Sequence, residues 1–106
     1  MILTLQVSRE HYNLIDSGNQ TCVYRDLRRF HDYCDEFDKG KALLGIGNPK
    51  YKSFVRIEVW PKGVKRLVGH PEVMRFTFGG IEIEDGLPIY GGKDEKMFKI
   101  KLGERL

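Results

Sequence analysis

The chain has 106 residues, of which 41% are hydrophobic and 31% charged, with a formal net charge of +3. That balance describes one domain, residues 1–106, with a single core, and argues against a disordered chain. No apolar run approaches the ~20 residues that a membrane-spanning helix needs, so no membrane partner is expected.

The opening "MILTLQVSRE" places Ile2, Leu3, Leu5 and Val7 in a short apolar segment that predicts a first strand. It lacks a basic leader followed by a long apolar stretch, so no signal peptide is expected. Ser8 then supplies a capping hydroxyl for a helix over "REHYNLIDS", with Tyr12, Leu14 and Ile15 on its buried side. Gly18 fits the left-handed position that ends such a helix. "TCVYR" reads as a second strand, with Thr21, Val23 and Arg25 on one face and Cys22 and Tyr24 on the other. In "DLRRFHDYCDEFDKG", Leu27, Phe30, Cys34 and Phe37 recur at helical spacing. This predicts a helix over residues 26–40, capped by Asp26 and stopped by Gly40.

"GIGNPKYKS" is a turn-rich loop, and "FVRIEVW" alternates cleanly as a strand closed by Pro61. "KGVKRLVGHPEV" gives no clear pattern. "MRFTFGGIEIED" reads as a strand with a bulge at Gly79 and Gly80. "GLPIYGGKDE" is a loop, and "KMFKIKL" is a closing strand that carries Met97, Phe98, Ile100 and Leu102. Early helices and later strands joined by tight turns predict an α+β fold: a mostly antiparallel, barrel-like sheet with two helices flanking it.

The chemistry-bearing side chains are dispersed. The two cysteines, Cys22 and Cys34, are too few for a disulfide framework, and free thiols in a cytoplasmic protein are expected. His31, Cys34 and Asp35 fall within about a turn of the predicted helix, but no second ligand pair accompanies them, and no metal or cofactor is expected. Ser17, Ser53, His70 and Asp85 are too scattered to suggest a hydrolytic triad. "GIGNPK" is not followed by a helix start, as a phosphate loop would be. Glu82 and Glu84 share a strand face and read as a solvent-facing edge, and Trp60 reads as a rim residue of the core. The positive charge is clustered instead: Arg25, Arg28 and Arg29 in "YRDLRRFH", and Lys62, Lys65 and Arg66 in "PKGVKRL". Tyr24, Phe30 and Tyr33 run beside the first cluster and Trp60 beside the second. Basic groups among aromatic rings suit single-stranded nucleic acid or nucleotides.

The turn "SGNQTCVYRD" resembles the ASCH family of the PUA-like superfamily, whose typical members carry G-x-K-x-x-E-x-R here. Gly18 and Arg25 match that pattern, while Gln20 stands at the lysine position and Val23 at the glutamate position. The C-terminal part is similar to small phage-type ASCH proteins, with Gly80, Gly86, Pro88, Tyr90 and Gly91 filling the expected places. Residues 40–74 lie outside the resemblance. It implies a PUA-like β-barrel with a cleft beside the first helix–strand turn, open to RNA, single-stranded nucleic acid or a nucleotide. Gly18, Gln20, Thr21, Tyr24, Arg25, Arg28, Arg29, Lys65, Arg66 and Tyr90 are the residues expected to meet such a ligand.

Two other functions follow from the same resemblance. One is an amidohydrolase acting on acylated nucleosides, as some members are. The other is a phage-type interaction factor that acts on a host protein. Against the first, Gln20 cannot take up a proton near neutral pH and Val23 has no heteroatom, so no efficient catalysis is expected. For Arg25 itself, the alternative to a ligand contact is an ion pair with Asp26, Asp32 or Glu36.

Overall fold

A computed structural model of the chain describes residues 1–46, 49–64 and 70–106. The first strand, β1 (Ile2–Val7), alternates outward and inward, which buries Leu3, Leu5 and Val7. Helix α1 (Arg9–Asp16) follows, with the Ser8 hydroxyl accepting from the His11 backbone N–H at 3.3 Å. Its end is set by Gly18 at φ +81°, while Asn19 N–H donates back to Leu14 O at 2.9 Å. A side chain at Gly18 would meet no neighbour within 4 Å, so the backbone conformation and not space demands glycine there.

Strand β2 (Cys22–Asp26) carries Val23 into the main core, and Cys22 and Tyr24 into a small second cluster with Met97. The predicted helix over residues 26–40 does not form. Asp26 caps only a 3₁₀ turn (Leu27–Arg29), followed by α2 (Phe30–Tyr33), strand β3 (Cys34–Glu36) and α3 (Lys39–Leu43). Cys34 is extended at φ −119°, ψ 138°, and β3 pairs antiparallel with β4 (Lys50–Tyr51). Phe30 stacks on Phe37 at 5.1 Å between ring centroids, and Phe37 packs on Phe98. The apolar residues that looked like a helical stripe converge by folding back on themselves. Gly40 lies inside α3 and stops nothing.

Strands β5 (Arg56–Pro61), β6 (Met74–Asp85) and β7 (Lys96–Arg105) complete the sheet, with a second 3₁₀ turn (Pro88–Tyr90) between the last two. The main sheet has five strands in the order β1-β5-β6-β7-β2; β1 runs parallel to β5, and the other pairs are antiparallel. At the predicted bulge the register slips between Phe78–Leu102 and Ile81–Ile100, with Gly80 at φ +107°. A Cβ on Gly79 would lie 2.7 Å from Lys101 O, so the partner backbone fits only because that atom is missing. The core centres on Ile57, Val59, Phe98 and Ile100, none of them accessible to solvent. Each such side chain stabilises the fold by roughly 1.5–3 kcal/mol.

The fold is therefore α+β, with a mixed sheet and short helices in place of two flanking ones. Among the described residues the sheet is not a closed barrel. Closure requires continuous backbone pairing, and β1 and β2 are its two unpaired edges. No described helix is long and apolar enough to cross a membrane.

Candidate functional site

The two sheet edges face each other across a seam, and Arg25 bridges it. Its guanidinium donates through Nη1 to Tyr24 O at 2.9 Å and through Nη2 to Gln6 O of β1 at 2.5 Å. Burial pulls the Arg25 pKa below its ordinary value, yet a guanidinium stays protonated at neutral pH. The buried Tyr33 hydroxyl lies beside it and has no hydrogen-bond partner among the described residues, and burial pushes that phenol's pKa up. None of the carboxylates expected as partners pairs with Arg25. Asp26 holds Arg28 at 3.2 Å and Lys93 at 3.8 Å, and Asp32 holds Arg29 at 2.9 Å. Glu36 is exposed and makes no ion pair with Arg25 among the described residues.

Beside the seam lies a cavity of about 200 Å³. Gln20, Tyr24, Arg25 and Tyr90 line it, four of the residues the sequence nominated. Gln20 is 2% exposed, buried although its place in a polar turn predicts exposure at a cleft mouth. Its Nε2 donates to Cys22 O at 2.8 Å and to Tyr90 O at 3.2 Å, which ties the 3₁₀ turn to β2.

Other nominated residues fall elsewhere. Gly18 and Thr21 border a separate cavity of about 300 Å³, shared with Phe76, Leu102 and Arg105, and Gln20 stands in the wall between the two. Arg28 lies on a groove of about 430 Å³ where Asp26 and Glu95 mix with lysines. Arg29 is paired with Asp32 and stands over the Tyr33 ring at 5.8 Å. Lys65 and Arg66 lie outside the described residues. Trp60 is buried, 4% exposed, and presents no face for stacking a base. Glu82 and Glu84 pair with Lys101 and Lys99 along the sheet surface, as a solvent-facing edge does. Cys34 is buried in β3, with its thiol pushed up to about 11 mainly by burial. Among the described residues no group of His, Cys, Asp and Glu is arranged to hold a metal.

Ser8, His11 and Lys62 line the same cavity; the sequence marked Ser8 as a cap and Lys62 as part of a basic cluster but nominated none of the three as a ligand contact. Ser8 Oγ lies 2.6 Å from His11 Nδ1, and the His11 ring packs against Gly91, where a Cβ would approach Cε1 to 3.1 Å. The spacing Ser8-x-x-His11 was the available signal, since residues three apart share a helix face. Lys62 is there because β1 and β5 run parallel, with Val7 opposite Pro61 and the Lys62 N–H donating to Val7 O at 2.8 Å. Antiparallel pairing, the sequence expectation, would have sent it to the other end of β1.

The resulting site is cationic. Arg25 and Lys62 line it, and among the described residues no aspartate or glutamate does. A larger groove of about 770 Å³, between α3 and β6, brings Leu43 and Leu44 beside Glu82, Glu84 and Lys96. Its carboxylates are already paired, so the smaller seam cavity is the better candidate despite its size. No protein-family model matches the chain, and no curated protein or solved structure matches it significantly.

Proposed function

We propose that the chain is a small ASCH-like binding module that takes RNA, single-stranded nucleic acid or a nucleotide at the β1–β2 seam, without efficient catalysis. The observation that carries this reading is the charge of the cavity: Arg25 and Lys62 converge there, and among the described residues no carboxylate lines it. Such a site draws anions, and the guanidinium fork suits phosphate oxygens or a base edge. At about 200 Å³ the cavity has room for one base, with the rest of a nucleotide or strand lying outside it. That falls below the ~300 Å³ at which drug-sized pockets begin. Weak catalysis fits the position of Gln20, whose amide is engaged by two carbonyl oxygens and neither donates a proton to nor accepts one from a reacting group.

The test is binding of a short RNA oligomer and of mononucleotides at increasing salt. Affinity should fall steeply with ionic strength, because binding releases counterions. Lys62→Gln, at an exposed position, should weaken binding by about 1 kcal/mol and flatten the salt dependence. Salt-insensitive affinity, or no binding to any oligomer or mononucleotide, overturns the reading. A protein-interaction factor is the second reading, favoured by Leu43, Leu44 and Ile46, which are 50%, 75% and 58% exposed. It predicts a protein complex that survives nuclease treatment and is lost on Leu44→Asp.

A further inference from the structure

The seam cavity has room for one base, so the rest of a bound strand must cross the surface beside it. Four further grooves among the described residues could receive it, and their charges differ. The groove between α3 and β6 sets Glu82 and Glu84 against Lys96. The cavity bordering Gly18 holds Arg105 and Asp16, already paired at 2.7 Å. A third, of about 250 Å³ beside β4, balances Lys41 and Lys50 with Glu36 and Asp38. Of the four, only the groove of about 430 Å³ carries an excess of cations. There Arg28, Lys39, Lys93 and Lys96 stand against Asp26 and Glu95.

This groove continues the seam cavity, because two chain segments flank both. β2 passes from Tyr24 and Arg25 on the cavity to Asp26 on the groove, a step of about 3.8 Å between neighbouring Cα atoms. The loop after the second 3₁₀ turn passes in the same way from Tyr90 and Gly91 to Lys93. Lys93 Nζ lies 3.8 Å from the Asp26 carboxylate and ties the two segments together.

The cations of the groove are open to a ligand. Arg28, Lys39, Lys93 and Lys96 are all exposed. Arg28 and Lys93 share one carboxylate, Asp26, and Lys39 has no carboxylate partner among the described residues. Lys96 pairs with Asp85 at 3.3 Å, which lowers the excess of charge without removing it. Exposed pairs of this kind contribute little, so phosphate oxygens can take the carboxylates' place.

We infer that the ligand of the seam is a single strand of several nucleotides: one base enters the cavity, and the adjoining phosphates lie along the groove against Arg28, Lys39 and Lys93. The inference rests on reading the seam cavity as a base site. It adds that a mononucleotide meets only part of the binding surface. The groove itself reads no sequence, because its cations meet the backbone.

The experiment uses the full chain and calorimetric titration with uridine and adenosine 5′-monophosphates and with their homopolymers of two, four and six nucleotides. The tetramer should bind about tenfold or more tightly than the monophosphate, beyond the roughly fourfold that four equivalent bases give by statistics. Its affinity should also fall more steeply with salt. Lys39→Gln combined with Lys93→Gln should remove most of that gain and flatten the tetramer's salt slope by about 0.7 for each lysine lost. Monophosphate binding should be unchanged in the same variant. Equal affinity for monophosphate and tetramer overturns the inference while leaving nucleotide binding intact, as does a gain that persists in the double variant. A hexaglutamate peptide that competes as well as the tetramer also overturns it, since the surface would then serve acidic protein. Failure of every oligomer and monophosphate to bind removes the nucleotide reading and this inference with it. The wild-type length series stands by itself if the double variant does not fold.

Discussion

The β1–β2 seam and the segment over residues 27–51 both lean on the same sheet, but different forces hold them. At the seam the contacts are polar: Arg25 reaches Gln6 O across the gap, and Gln20 ties down the turn at Tyr90. The 27–51 segment is held by aromatic rings gathered on one side chain. Tyr33, Phe37 and Tyr51 lie 5.5, 5.6 and 6.5 Å from the Phe98 ring centroid. The comparison shows where function has room. Among the described residues the aromatic cluster leaves one polar group, the Tyr33 hydroxyl, without a partner, whereas the polar seam leaves N–H groups of Arg25 and an oxygen of Gln20 unused.

Removing the aromatic hub should have the largest effect. Phe98→Ala takes away a ring with no solvent exposure and should cost about 3–5 kcal/mol by urea unfolding, with Tyr51 and Tyr33 losing their anchor. A loss below about 1 kcal/mol would mean the 27–51 segment is held by something else.

Arg25→Ala comes next. It should cost about 1–2 kcal/mol, because two charge-assisted hydrogen bonds vanish while the partly buried setting lets water replace some of them. Arg25→Lys should restore less than half, since an ammonium lacks the planar fork that spans two carbonyls. No measurable change would show that the seam closes without its bridge.

The smallest effect tests the segment's start. The Arg28 guanidinium, followed by the Arg28 backbone N–H, holds the Asp26 carboxyl at about 2, below its usual value of 3.8. A depressed folded-state pKa stabilises the fold above the unfolded value and ceases to do so as pH falls through the folded one. The contribution is therefore complete above about pH 4 and lost towards pH 2. Asp26→Asn, which keeps a capping oxygen, should lower stability at pH 7 by about 1 kcal/mol after allowance for solvent screening. It should also flatten the acid limb in a pH series of thermal melts; an unchanged limb would show that Asp26 gains nothing from Arg28.

The parts of the fold that were legible are those whose local signals agree with their final contacts. Ser8 and Gly18 bracket α1, and the alternation matches the buried face throughout β1, from Ile57 to Val59 in β5 and from Phe98 to Ile100 in β7. Gly79 and Gly80 mark the bulge. The segment over residues 26–40 was misread because spacing records which residues are apolar, not which partners they meet. Phe30 and Phe37 serve a tertiary cluster, and Cys34 serves a strand pair with Tyr51. Closure was misread for a related reason: no pattern in β1 or β2 says whether they pair with each other. Of the candidate site, Arg25 and Gln20 were nominated from the turn that carries them, and both line the cavity. Lys62 was not, because its place depends on β5 running parallel to β1.

That parallel pairing also bears on how the chain reaches its fold. β6 and β7 are joined by a short turn and can zip locally, but β1 pairs with β5 from Ile2 opposite Arg56 to Val7 opposite Pro61. Bringing β1 home closes a loop about five times longer than the β6–β7 turn, an added entropic cost of about 1.4 kcal/mol. β2 waits longer still, with Cys22 opposite Lys101 and Asp26 opposite Met97. Leu3, Leu5 and Val7 stay uncovered until β5 has been made and Val23 until β7 has, which makes the two edge strands the stretches most open to association with other chains during synthesis.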